Sequence, residues 1–243
     1  MSTPRWLALG TLLAALSPAA LLATNRQFDG LVLPFREVVV SSPVQSTIQF
    51  IAHREGASVK TGDVLARLYS RIEELDMLRT KAALQKREFD ARGAHNLYAD
   101  KIISEDEALK NKIELELARL QSEQATELFK QRTILAPIDG LIVEQMREVG
   151  ESTTATQPLF RLVDIDQVYV QFYIRAEQLG QLALGAPVTV SYAANNATTT
   201  CEGLVDFIDP RVDAASGLLR VKVLVQNQDR KITPGLRVSV SPR

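Results

Sequence analysis

The side chains able to hold a metal, move a proton or attack carbon are few here, and none forms a working pattern. Cys201 is the single cysteine and His53 and His95 are the only histidines. A lone cysteine allows no internal disulfide and no cysteine-based metal cage. Two isolated imidazoles read as surface residues, and Cys201, without a basic neighbour to activate it, reads as a strand residue. No Gly-x-Ser-x-Gly elbow, phosphate loop or His-Glu-x-x-His pair is present. Asp139, in Ile138-Asp139-Gly140, reads as a turn former. The expectation is a protein that is not an enzyme and uses no cofactor and no metal. With 28 basic against 29 acidic residues and a net charge of -1, there is no electrostatic reason to expect nucleic acid as a partner.

The elements matter more than single residues. Arg5 precedes an apolar run from Trp6 to Ala23, which ends in small residues. Residues 1–23 are therefore expected to be a secretory signal or, since roughly 20 apolar residues span a bilayer, an uncleaved anchor. Either way the remainder leaves the cytoplasm.

Downstream, a short pattern occurs twice, 94 residues apart. Pro43, Ile48, Gly56, Leu65, Arg67 and Leu68 match Pro137, Ile142, Gly150, Leu159, Arg161 and Leu162. Each copy has a proline, an alternating stretch, a glycine turn and a leucine-bearing strand, which suggests two copies of one unit. Strands are expected at Val38–Val40, Thr47–Ile51 and Val64–Leu68, then at Ile134, Leu141–Val143 and Leu159–Val163. Each half has too few strands to bury a face alone, so the halves are expected to pack together as a small β-sandwich.

Between the copies, residues 70–130 hold one glycine, Gly93, no proline, and many Glu, Lys, Arg, Leu and Ala residues. That composition is helical. Ser70 with Glu73 and Ser104 with Glu107 read as two capping boxes, hence two helices, with a turn near Lys101 to Ser104. Leu75, Leu78, Ala82 and Phe89 in the first, and Ile113, Leu117 and Leu120 in the second, have the narrow spacing of a coiled-coil seam. Each arm of about 30 residues should reach roughly 45 Å. Arg71, Glu74, Arg79 and Lys86 either solvate its outer faces or pair with neighbouring copies.

After Asp164, strands are expected at Val168–Ile174, Pro187–Tyr192, Gly203–Ile208, Leu219–Val225 and Leu236–Val240, with a helical turn at Glu177–Leu182. Turns are expected at Gly185-Ala186-Pro187, Asn195-Asn196, Asp209-Pro210 and Pro234-Gly235. Several short strands with regular turns suggest a small β-barrel, which Phe28–Leu33 could join. The fold expected is mainly β, elongated and multidomain, with an α-helical coiled-coil hairpin inserted into a lipoyl-like β-sandwich, followed by the barrel. The divisions are 1–23, an entering strand segment at 24–40, a split sandwich at 41–69 and 131–163, the hairpin at 70–130, and the barrel at 164–243.

This order resembles the periplasmic adaptor, or membrane fusion protein, family that serves resistance-nodulation-division efflux pumps. Residues 55–65, Glu-Gly-Ala-Ser-Val-Lys-Thr-Gly-Asp-Val-Leu, look like the first lipoyl half, and Thr133 to Gly140 look like the start of the second. Cys201 to Asp209-Pro210, Leu218 to Val221 and Thr233 to Val238 look like barrel signatures. The resemblance implies an adaptor that self-associates into a ring and links an inner-membrane transporter to an outer-membrane channel. Members usually carry a membrane-proximal domain built from both chain ends. Since the sequence given runs to Arg243, straight after the last barrel strand, that domain is expected to be missing or reduced.

The resemblance also implies that the hairpin tip docks on the channel, through Leu97, Ile102, Ile103 and Ser104. The family's tip pattern has an Arg, a Leu four positions on and a Ser seven further; Leu97 and Ser104 match the last two. Gly93 stands at the Arg position, with Arg92 about 100° around the helix from it. The plainer reading is that Ser104 caps a helix and that the apolar residues staple the turn. Two other functions remain open: an adaptor of an ABC-type exporter, or a lipoyl or biotinyl carrier. A carrier needs its lysine in the tight turn between the halves, where this sequence has the long hairpin instead, and Lys60 lies in a different turn.

Overall fold

The computed structural model describes residues 27–194 and 197–242. The expected signal or anchor at 1–23 and the Asn195-Asn196 turn lie outside the described residues.

The order is β1 (Phe28–Ser41), β2 (Ser46–Ile51), β3 (Ser58–Val59), β4 (Val64–Leu68), α1 (Arg71–Ala99), α2 (Glu105–Lys130), β5 (Thr133–Leu135), β6 (Gly140–Gln145) and β7 (Ser152–Thr153). Then come β8 (Pro158–Arg175), a 3-10 helix (Ala176–Gln181), β9 (Pro187–Ala194), β10 (Ala197–Ile208), β11 (Leu218–Gln226) and β12 (Arg237–Pro242). The protein is mainly β with one two-helix hairpin.

The sandwich has two layers, β5-β4-β2-β7 and β1-β8-β6-β3. A 94-residue offset relates the layers strand by strand, β2 and β4 lying 94 residues before β6 and β8, and β5 and β7 lying 94 residues after the end of β1 and β3, so the sequence repeat is an approximate twofold axis. The core is drawn from both halves: Ile48, Leu65 and Leu68 pack with Ile142, Leu159 and Leu162, all buried. An isolated half would leave this face in water.

Six strands, β1-β12-β9-β10-β11-β8, form the barrel, which closes where β1 pairs with β8. Its interior alternates strictly. Val168, Val170, Phe172 and Ile174 of β8 and Leu219, Val221, Val223 and Val225 of β11 point inward and are buried. Closure removes the exposed edges that a six-strand open sheet would carry.

The strand expectations need one correction. Leu159–Val163 and Val168–Ile174 form one strand, β8, and Phe28–Leu33 and Val38–Val40 form one strand, β1. Together β1 and β8 make an antiparallel ribbon from sandwich to barrel, with register shifts at Pro34/Arg36 and at Val40/Ser41. Asp164, where the barrel was expected to start, lies within β8 and makes no break. Its carboxylate instead accepts a bond from Arg36 Nη2 across the ribbon at 3.0 Å.

The hairpin seam is also corrected. Leu75, Leu78, Ala82, Phe89, Ile113, Leu117 and Leu120 all face outward. The residues turned toward the partner helix are Glu73, Met77, Thr80, Leu84, Arg87, Ala91 and Ala94 of α1, and Ala108, Asn111, Leu115, Ala118, Ser122, Ala125 and Phe129 of α2. They follow the alternating three- and four-residue steps of a coiled coil. Small side chains at Thr80, Ala94, Ala118, Ser122 and Ala125 let the backbones approach closely. Both stripes have the right period, so periodicity could not choose between them. Contacts distant in the chain hold the inward stripe in place, Glu73 bound to Arg132 at the root and Arg87 to Glu114 along the shaft.

Candidate functional site

The hairpin is the part of the fold that neither core needs, and its site is built from root to tip. At the root, Leu68 N–H donates to Arg132 O at 2.8 Å and Tyr69 N–H donates to Thr47 O at 2.8 Å. Arg132 Nη2 meets Glu73 Oε1 at 2.6 Å, while its Nη1 donates to Gln45 O at 3.1 Å. This corrects the first capping box: Ser70, with φ -139 and ψ 9, lacks the extended backbone of a cap and its side chain makes no cap bond, while the Glu73 carboxylate is drawn to Arg132. Both partners are mostly buried, which makes this pair worth more than an ion pair on the surface.

Along the shaft, Arg87 Nη1 meets Glu114 Oε2 at 2.7 Å, which sets the two helices level with each other there. Arg71 pairs with Glu74 and Arg79 with Asp76, each within α1. Three of the four residues considered for contacts between copies therefore already have a partner on their own helix.

At the tip, the chain turns through Lys101 with φ 60. Ile102 N–H donates to Leu97 O at 2.8 Å, which draws the first two of the four expected tip residues together. Ile102 is 66% exposed, Leu97 is partly exposed and Ile103 is half-buried. Ser104 is a true cap, its Oγ accepting from Glu107 N–H at 3.3 Å. Gly93 has open space around the position a side chain would take. His95 lies in a shallow groove with Glu88, Arg92 and Leu115.

Two polar links were not foreseen. Asp139 Oδ1 accepts from Thr61 N–H at 2.6 Å and from Thr61 Oγ1–H at 2.8 Å, tying the two sandwich halves together. Those bonds, with Lys60 and Arg36 nearby, hold its carboxyl below the ordinary aspartate value. Sequence reasoning saw only the turn, because the partner lies 78 residues away. In the barrel, Asp209 accepts from Arg211 N–H at 3.1 Å and from Arg220 Nη2 at 3.2 Å, and its carboxyl is likewise held low, mainly by the Arg211 backbone bond. Burial pushes the Cys201 thiol up, away from the reactive thiolate. Among the described residues, no cluster of three or more His, Cys, Asp or Glu could hold a metal ion. None of the described helices is long and apolar enough to cross a membrane.

A pseudo-symmetric barrel-sandwich split by a helical hairpin, joined through a two-strand ribbon to a closed six-strand barrel, defines a class of elongated adaptor. Residues 36–164 match the family model for the CzcB-like barrel-sandwich hybrid domain, and residues 167–243 match the CusB-like beta-barrel domain. The chain belongs to the membrane fusion, or periplasmic adaptor, family of efflux systems, whose members are adaptors and not enzymes.

Among curated relatives, the cobalt-zinc-cadmium resistance protein CzcB of Cupriavidus metallidurans is 24% identical over 76% of this chain and 38% of its own length. The multidrug resistance protein MdtA of Proteus mirabilis is 24% identical over 92% of this chain and 61% of its own length. The chain thus spans about 40 to 60% of these relatives. A chimeric MacA-MexA protein carrying the Pseudomonas aeruginosa MexA alpha-hairpin domain has the same fold, with a TM-score of 0.79 and 19% identity over 90% of this chain and 78% of that one. The membrane fusion protein Spr0693 of Streptococcus pneumoniae matches with a TM-score of 0.70 and 17% identity over 88% of this chain and 99% of that one.

Proposed function

We propose that this chain is the periplasmic adaptor of an efflux system. It links an inner-membrane transporter, of the resistance-nodulation-division type, to an outer-membrane channel, and so supports export of small molecules. The observation that carries this is the hairpin: two helices of 29 and 26 residues rooted in the sandwich and ending in an exposed Ile102. At 1.5 Å per residue that is a reach of roughly 40 Å, which no packing need of either core explains. In this reading Leu97, Ile102, Ile103 and Ser104 meet the channel, copies of the chain associate into a ring, and the barrel lies toward the transporter. The sandwich divided at 41–69 and 131–163, the hairpin at 70–130 and the barrel at 164–243 are then the working parts, and the segment at 1–23 is the signal peptide or uncleaved anchor that takes them out of the cytoplasm.

An adaptor for an ABC-type exporter is the second reading, since the same hairpin and barrel would serve it. The carrier reading is weaker. Lys60 lies in the turn between β3 and β4, where its own N–H is bound to Asp63 Oδ2 at 2.7 Å, and no tight turn joins the two halves.

The test is in-cell photo-cross-linking from a probe at Ile102, the most exposed of the four tip residues, with mass spectrometry of the adducts. An outer-membrane channel among the adducts supports the reading. Only other adducts, together with unchanged export in cells lacking the chain, would end it.

A further inference from the structure

Between sandwich and barrel, β8 loses its strand neighbours on both sides. On one side its pairing with β6 stops at Val163 and its pairing with β11 begins at Gln167. On the other the β1 ladder is interrupted. Pro34 pairs with Val168 and Arg36 with Asp164, so Ile165, Asp166 and Gln167 stand opposite Phe35 alone. Extra residues in one strand bend it. Ile165 and Asp166 thus lie in a bend that no ladder holds. Among the described residues, β1 and β8 are the only strands that run from one domain into the other. A two-strand ribbon by itself has little stiffness.

One side chain of the barrel holds the bend. Asn227 follows the last residue of β11 and is 4% exposed. Its Nδ2 donates to Ile165 O at 2.8 Å and to Ile232 O at 2.9 Å, and its Oδ1 accepts from Ile232 N–H at 2.9 Å. Its own N–H donates to Asp166 O at 2.9 Å. Asn227 therefore supplies the bonds that a neighbouring strand would have supplied, and ties them to loop 227–232. Arg230 of that loop adds a bond from its Nε to Asp166 Oδ1 at 2.8 Å. The other side of the bend is filled by Phe35, whose ring stacks on Tyr169 with centroids 5.5 Å apart, while the Arg36 guanidinium lies over Phe35 at 5.3 Å. A buried amide with its bonds made resists any change of angle, because a change would strand polar groups away from water.

We propose that Asn227 is the positioning residue of this junction, a latch that fixes the angle between sandwich and barrel and makes one lever of the two. A displacement of the barrel is then carried through the sandwich to the hairpin instead of being absorbed in the ribbon. The assignment goes beyond the adaptor reading and does not depend on it.

The experiment uses the full purified chain, with Cys201→Ser removing the native thiol. Spin labels are placed through Gln49→Cys in the sandwich and Arg237→Cys in the barrel, both at exposed positions. Pulsed electron paramagnetic resonance reads the distance between them. The parent is expected to give one narrow peak. Asn227→Ala, shown to be folded by circular dichroism, is expected to lose that peak to a spread of other distances. Val223→Ala opens a cavity in the barrel core away from the bend and should keep the peak, which separates release of the junction from general loosening. Should Asn227→Ala not fold, Phe35→Ala takes its place with the same expectation, since it opens the bend from the other side and removes no hydrogen bond. A broad distribution in the parent, an unmoved peak in the junction variant, or an equal spread in Val223→Ala would overturn the proposal. The distance is read on the isolated chain, so its failure leaves the Ile102 cross-link standing, and a missing channel adduct leaves the latch standing.

Discussion

Gly56 and Gly150 make the same bond in opposite halves of the sandwich. Gly56 N–H donates to Ile142 O and Gly150 N–H donates to Ile48 O, each at 2.8 Å. Both glycines have left-handed backbones, with φ +83 and +92, and neither has an atom within 4 Å of where a Cβ would stand. Replacement by alanine therefore tests backbone strain alone. Gly56→Ala and Gly150→Ala are each expected to cost about 1–2 kcal/mol, and to cost the same. Urea unfolding followed through the sandwich transition checks both numbers.

The two hairpin caps should respond differently. Ser104 holds Glu107 N–H, so Ser104→Ala should cost about 1 kcal/mol. Ser70 makes no cap bond, so Ser70→Ala should stay within about 0.5 kcal/mol. Glu73→Ala should cost about 1.5–3 kcal/mol, because it strands the mostly buried Arg132. Thermal unfolding followed by far-UV circular dichroism ranks the three variants, and equal losses at Ser70 and Ser104 would refute this account of the root.

The seam gives a matched pair of neighbouring positions. Ala118 faces α1 and is buried, whereas Leu117 is exposed. Ala118→Leu should overpack the seam and cost about 1–3 kcal/mol, and Leu117→Gln should stay within about 0.5 kcal/mol of the parent. The reverse order, measured as the loss of helical signal on heating, would restore the leucine stripe as the seam.

Asp139 should make the sandwich sensitive to acid. Its folded carboxyl titrates below the ordinary value because Thr61 donates two bonds to the charged form. A lowered folded pKa adds stability that is fully present above the unfolded value and is lost as pH falls through the folded value. Asp139→Asn keeps the shape and removes the charge. The variant should therefore be less stable than the parent at neutral pH, with the gap closing below about pH 3.8. Paired urea midpoints from neutral to acidic pH check this; a gap independent of pH would assign the effect to shape alone.

Much of the fold was legible in the chain. The 94-residue repeat pairs Ile48 with Ile142 and Leu65 with Leu159, and all four are buried in one core. The glycines of the repeat mark left-handed turns, and the single-glycine, proline-free stretch between the copies is two helices. Local preference and burial agree at these positions, so pattern and structure coincide. Of the proposed tip residues, Leu97 and Ser104 are nominated by the family resemblance, and Ile102 and Ile103 by lying in a short turn with little core beneath it.

What the sequence alone determined is the set of elements and their order, since glycine turns, alternating strands and helical composition are properties of neighbouring residues. Tertiary structure decided which helix face became the seam, which carboxylate bridged the halves, and that β1 and β8 run unbroken past Arg36 and Asp164. Each of these depends on a partner distant in the chain: Arg132 for Glu73, Thr61 for Asp139, Arg36 for Asp164. The outward apolar stripe and the mixed, small-residue inward stripe share one period, so periodicity alone does not choose between them, and contacts distant in the chain, Arg87 with Glu114 and Glu73 with Arg132, hold the inward one.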